Sequence, residues 1–87
     1  MEDELYKIKF ELKTEYAYEE VDSLLDEISF SSNSVGDFTN YFLDENKEKI
    51  VRLNPKNKTV ELTDKIDKWI INSIEHVKKV ELIKGKL

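Results

Sequence analysis

The chain has no cysteine. Disulfide frameworks, thiolate nucleophiles and cysteine-bound metal centres are therefore excluded. It has only two glycines, Gly36 and Gly85, so the usual glycine-rich phosphate cradles cannot be assembled. The single histidine, His76, stands between Glu75 and Val77 with no recognisable nucleophile or orienting acid in pattern with it. It reads as a surface residue rather than a general base. The serines of residues 29–34 lack the G-x-S-x-G context of a nucleophile elbow. Asp44-x-Asn46-x-Glu48 resembles the start of a calcium loop, but Lys49 stands where glycine is needed and Pro55 where a bidentate glutamate is needed. Neither an enzyme nor a resident cofactor or metal is expected. No stretch approaches the ~18 apolar residues of a membrane span. The opening, Met1-Glu2-Asp3-Glu4, is acidic and has no apolar run. It does not read as a leader or transit peptide, and the expected compartment is the cytoplasm.

What the chain has in quantity is charge, and the charge is divided. Residues 1–48 carry fourteen acids against four lysines, whereas residues 49–87 carry five acids against ten bases, for a net charge of −5. Residues 15–27 hold six carboxylates, Glu15, Glu19, Glu20, Asp22, Asp26 and Glu27, and no cation. With 87 residues, 39% of them apolar, the chain is expected to form one small domain, residues 1–87, with a modest core.

Tyr6, Ile8, Phe10, Leu12, Thr14 and Tyr16 alternate with Lys7, Lys9, Glu11, Lys13 and Glu15. Period two predicts a half-buried strand. From Ala17 the period changes: Val21, Leu24, Leu25 and Ile28 fall on one stripe of a helix. Residues 29–36 read as a loop rich in serine. Residues 37–47 carry two patterns. Phe38, Tyr41 and Phe42 have helical spacing, but aromatic composition and the turn-forming Asp44-Glu45-Asn46-Lys47 favour a strand. A hairpin follows, with strands at 49–53 and 59–62 around Asn54-Pro55-Lys56-Asn57-Lys58. A last helix is expected to open at Thr63 or Asp64 and to bury Ile66, Trp69, Ile70, Ser73, Ile74 and Val77. Residues 80–83 could close the fold as a short strand, with the tail beyond Gly85 fraying. These segments offer five strands; taken in the order strand, helix, strand, strand, helix, strand, which uses four of them, they predict an α+β domain of the ferredoxin-like split βαβ type, an antiparallel sheet with two helices on one face.

A fold assigns no function, so the charge pattern carries the functional reading. Lys7, Lys9 and Lys13 line the outer face of the first strand, but the nearby aromatics alternate onto the opposite face and the net charge is negative. Nucleic acid is therefore not the expected partner. The acids of residues 15–27 are the sharper signal. Glu19 and Glu20 suit a helix N-terminal half. Asp26 and Glu27 lie where the dipole disfavours them, and no lysine three or four residues away offsets the repulsion. Glu19, Asp22 and Asp26 share a face, but three solvated carboxylates hold a divalent ion weakly. The expected function is a non-enzymatic protein-binding module whose carboxylates Glu15, Glu19, Glu20, Asp22, Asp26 and Glu27 meet a basic surface on another protein. Its sharpest form is a mimic of the phosphate backbone that inhibits a nucleic-acid-handling host protein, in the setting of a phage or mobile element. The runner-up is a homodimeric structural or assembly protein in which the acidic and basic halves of two copies meet.

Overall fold

A computed structural model describes residues 6–85. The elements in chain order are β1 (Tyr6–Glu11), α1 (Glu15–Ile28), β2 (Ser31–Val35), β3 (Phe38–Phe42), β4 (Ile50–Asn54), β5 (Thr59–Thr63) and α2 (Lys68–Gly85). The five strands form one antiparallel sheet in the order β1-β5-β4-β3-β2. The α+β class and the antiparallel sheet with two helices stand. The ferredoxin-like topology does not. Here β2 to β5 form a continuous meander, and β1 adds to its far side against β5. The difference comes from one extra strand, β2, and from α2 running on to Gly85, so that residues 80–83 are helical and close no sheet.

The N-terminal alternation stops earlier than period two suggests. Strand β1 ends at Glu11, and Thr14 caps α1: its Oγ1 accepts from the Ala17 amide at 3.1 Å. A hydroxyl in that position satisfies one of the orphan donors of the helix start and outweighs continued alternation. The Ser29 amide donates to the Leu25 carbonyl and closes the other end.

Short polar loops set the meander. Gly36 takes a φ of 60° in the two-residue loop between β2 and β3, as the first position of a II′ hairpin turn requires. Asp44 Oδ1 accepts from the amides of Glu48 and Lys49, each at 2.9 Å, while Lys47 takes a left-handed φ of 59°. The residues that resemble a calcium loop thus organise a turn. Asn54 Oδ1 accepts from the Lys56 and Asn57 amides, and Lys58 takes the left-handed position (φ 55°).

The inner face of the sheet supplies Phe10, Tyr41, Val51, Leu53, Val60 and Leu62 to the core, and Leu12, just past the end of β1, joins them. Against it pack Ala17, Tyr18, Val21 and Leu25 of α1, and Ile70 and Ile74 of α2. The second helix starts at Lys68, later than expected, because Thr63 is used in the sheet: its Oγ1 accepts from the Ile50 amide and donates to the Glu48 carbonyl. The Asp67 carbonyl accepts the first helical bonds, from Ile70 and Ile71. Ile66 still reaches the core, but from the loop. The apolar stripe of α2 is Ile70, Ile71, Ile74 and Val77, which leaves Trp69 53% exposed instead of buried. The expected orientations of Tyr6 and Lys7 side chains, the opening residues 1–5 and the tail 86–87 lie outside the described residues.

Candidate functional site: the acidic face of α1

Each of the six carboxylates singled out by the sequence lies on α1, and the helix divides them into two sets. Glu15 and Asp22 serve the fold. Glu15 Oε1 lies 3.5 Å from Lys58 Nζ, which ties the first turn of α1 to the β4–β5 loop. Asp22 is half-buried, and its Oδ1 accepts from the Tyr41 hydroxyl at 2.5 Å. Tyr41 stands on the inner face of β3, so this bond joins helix to sheet. The other four, Glu19, Glu20, Asp26 and Glu27, are exposed. The salt bridges among the described residues are Lys49–Asp67, Lys58–Glu15 and Lys65–Glu48, and none uses those four.

The buried tyrosines beside the helix respond to this field. Burial, then the negative charges of Asp22 and Glu15, push Tyr18 up to about 12. Tyr41 rises further, first through burial and then through its bond to Asp22 and the charges of Asp22 and Asp26. Both phenols stay protonated at any physiological pH, so Tyr41 remains the donor to Asp22.

Glu20 also borders a groove of about 400 Å³ between the two helices, lined by Leu24, Asn72, Ser73, His76 and Val77. His76 is exposed there. Among the described residues no three His, Asp or Glu side chains come together to hold a metal ion. Nor is any described helix long and apolar enough to cross a membrane.

The opposite face of the sheet is mixed in charge. Register places Lys9 opposite Glu61, Glu61 opposite Arg52, Arg52 opposite Asn40, and Asn40 opposite Asn33. Arg52 Nε donates to Asn40 Oδ1 at 3.1 Å, and Asn40 Nδ2 donates to Asn33 Oδ1 at 3.2 Å. Lys9 of β1 thus sits in a row with an acid rather than in a basic stripe.

Family models, curated proteins and solved structures were compared with the chain, and none matches. The role of Asp22 was missed from sequence because it depends on Tyr41, nineteen residues away. The one available signal was its i+4 position from Tyr18, on the border of the apolar stripe.

Proposed function

We propose that this protein is a non-enzymatic binding module that covers a basic surface on another protein with the exposed acids of α1. The observation that carries this reading is the division of labour on the helix. Two acids, Glu15 and Asp22, have partners within the chain, while Glu19, Glu20, Asp26 and Glu27 are exposed and without an ion pair among the described residues. Asp26 and Glu27 also stand in the last turn, where there is no basic residue and the helix dipole works against them. Carboxylates kept at a local cost to helix stability fit a surface that meets cations from elsewhere. A basic surface that ordinarily holds nucleic acid is the target such a helix fits best, and inhibition by occupying it is the expected effect. Glu15 and Asp22 contribute by fixing the helix to the sheet.

The test is association kinetics. A partner is captured from the host with the whole chain as bait, and wild type is compared with a Glu19→Lys, Asp26→Lys, Glu27→Lys variant at low and high ionic strength. The variant should fold at least as well as wild type, because like-charge repulsion is removed and a cation in the last turn agrees with the dipole. Its on-rate should fall about tenfold or more at low salt and depend less on salt. Equal on-rates for both proteins at both salt concentrations would return these acids to the role of a solvated face.

A further inference from the structure

Both end strands of the sheet, β1 and β2, have one side unpaired among the described residues, and the β2 side is the one without charge. All five residues of β2 are exposed, and they carry no charge and no proline. Pairing with β3 is unbroken from Ser31↔Phe42 to Val35↔Phe38. No described strand lies on the other side of β2. Natural sheets usually block an open edge with lysines, prolines or bulges, and β2 has none of these.

The hairpin sets which backbone groups face outward. A two-residue loop closes on a hydrogen-bonded pair, here Val35 and Phe38, and bonded and non-bonded pairs alternate along an antiparallel ladder. Asn33 and Ser31 therefore also turn their amides toward β3. Ser32 and Ser34 turn theirs to the open edge.

We infer that this edge takes a second copy of the same chain, β2 against β2 and antiparallel, about a two-fold axis at Asn33. Three observations select a second copy. Residues 28–36 are the longest uncharged run in a chain of net charge −5, so two copies repel each other least along this line. In the symmetric register Ser32 of each copy meets Ser34 of the other, and these two pairs exchange the outward N–H and C=O groups. Asn33 meets its own mate, so the polar row from Lys9 through Arg52 and Asn40 continues into the second molecule; the side-chain Nδ2 of Asn33 has no protein partner among the described residues. Finally, the exposed large apolar side chains of the described residues are Tyr16, Phe30, Val35 and Trp69, and two of these four lie at the ends of β2, Phe30 just before it and Val35 as its last residue. Antiparallel pairing sets Val35 of each copy opposite Ser31 and beside Phe30 of the other. A foreign strand could use the same backbone groups; in self-pairing the two-fold axis supplies the match at both ends with no further sequence requirement.

Residues directly opposite in an antiparallel pair share a face. Both copies therefore keep their helices on the same side, and the acidic faces of two α1 helices stand over one continuous sheet. This pairing is independent of what those acids bind. Because the two copies carry like charge, their association strengthens as salt rises. A dimer made by joining acidic and basic halves would weaken instead.

The experiment is sedimentation equilibrium of the whole chain, from micromolar to millimolar concentration, at low and high salt. The mass should rise from 10.3 kDa toward twice that value, and further at high salt. Hydrogen exchange should show the Ser32 and Ser34 amides gaining protection with concentration. Ser34→Pro removes an outward N–H at an edge position where proline is tolerated, and Ser34→Lys places a cation in the interface. Each should weaken association at least about tenfold with an unchanged far-UV spectrum, and Ser34→Lys covers the case in which the proline variant misfolds. A monomer at every concentration, association weakened by salt, a dimer untouched by Ser34→Lys, or protection of Ser32 and Ser34 only on adding a foreign peptide would each overturn the inference.

Discussion

Strands β1 and β2 occupy the two ends of one sheet, yet they are held there by different means. β1 is fastened from within. Its Phe10 is buried, Ile8 packs against the core, and Leu12 just beyond it is 3% exposed. Its outer positions carry Lys9 and Glu11, and a bulge falls between Tyr6 and Ile8. β2 buries nothing and is held by backbone pairing with β3, by the Asn40–Asn33 side-chain bond and by the Gly36 turn. Burial gives one strand its place and its register. The hairpin, with the Asn40–Asn33 bond, does so for the other, which leaves its side chains free of core duty. Charge follows the same division: the edge with buried side chains is guarded by charge and a bulge, and the edge without them is not.

The largest expected effect is on the buried side of this contrast. Phe10→Ala should cost about 3–5 kcal/mol in a denaturant melt, a large share of the stability of a domain this size. A loss comparable to that of a β2 substitution would mean that β1 is not fastened through its inner face.

Tyr41, on the strand next to β2, gives the intermediate effect. Tyr41→Phe removes the bond to Asp22 and should cost about 1–2 kcal/mol, with α1 loosened rather than the sheet. The linked pH effect has a definite sign. Tyr18 and Tyr41 are raised in the folded state, so the unfolded chain loses those protons first, from about pH 10. Their contribution is complete below that pH and is lost as pH rises through the folded values. Thermal melts should therefore decline above about pH 10, less steeply in Tyr41→Phe than in wild type. Parallel declines in the two proteins would remove Tyr41 from the account.

The smallest effects test the exposed sides. Lys9→Ala and Ser32→Ala should each change stability by under about 0.5 kcal/mol. The two should still differ in association. Lys9→Thr takes a charge from the guarded edge, and light scattering should rise with concentration more than in wild type. If scattering stays at the wild-type level, the bulge alone is sufficient protection.

The same contrast explains what could be read from the sequence. β1, β4, β5 and α1 were legible because each has one apolar face, and burial of one face writes a period into the chain. β2 has no buried face, so Ser31-Ser32-Asn33-Ser34 resembles a loop. Its one signal was Gly36-Asp37 between Val35 and Phe38, a dipeptide suited to a two-residue hairpin. The error in topology followed from that missed strand. Trp69 was misplaced because the stripe was counted from Ile66, which lies before the helix rather than on it. Of the six acids, the sequence placed five on the helix and Glu15 in the strand before it, and it could not separate Glu15 and Asp22 from the rest, since their partners Lys58 and Tyr41 arrive only through the fold.

The pairing of β1 with β5 bears on the order of events during synthesis. Roughly fifty residues separate the two strands, so β1 emerges long before its neighbour exists. The meander β2 to β5 can form by successive hairpins, each closing a short loop at little entropic cost. β1 cannot join until Thr59–Thr63 has been made. Until then Phe10 and Leu12 have only the apolar stripe of α1 for cover. A nascent chain stalled before β5 is therefore the species most exposed to aggregation and proteolysis, and the last strand of the meander admits the first strand of the chain to the sheet.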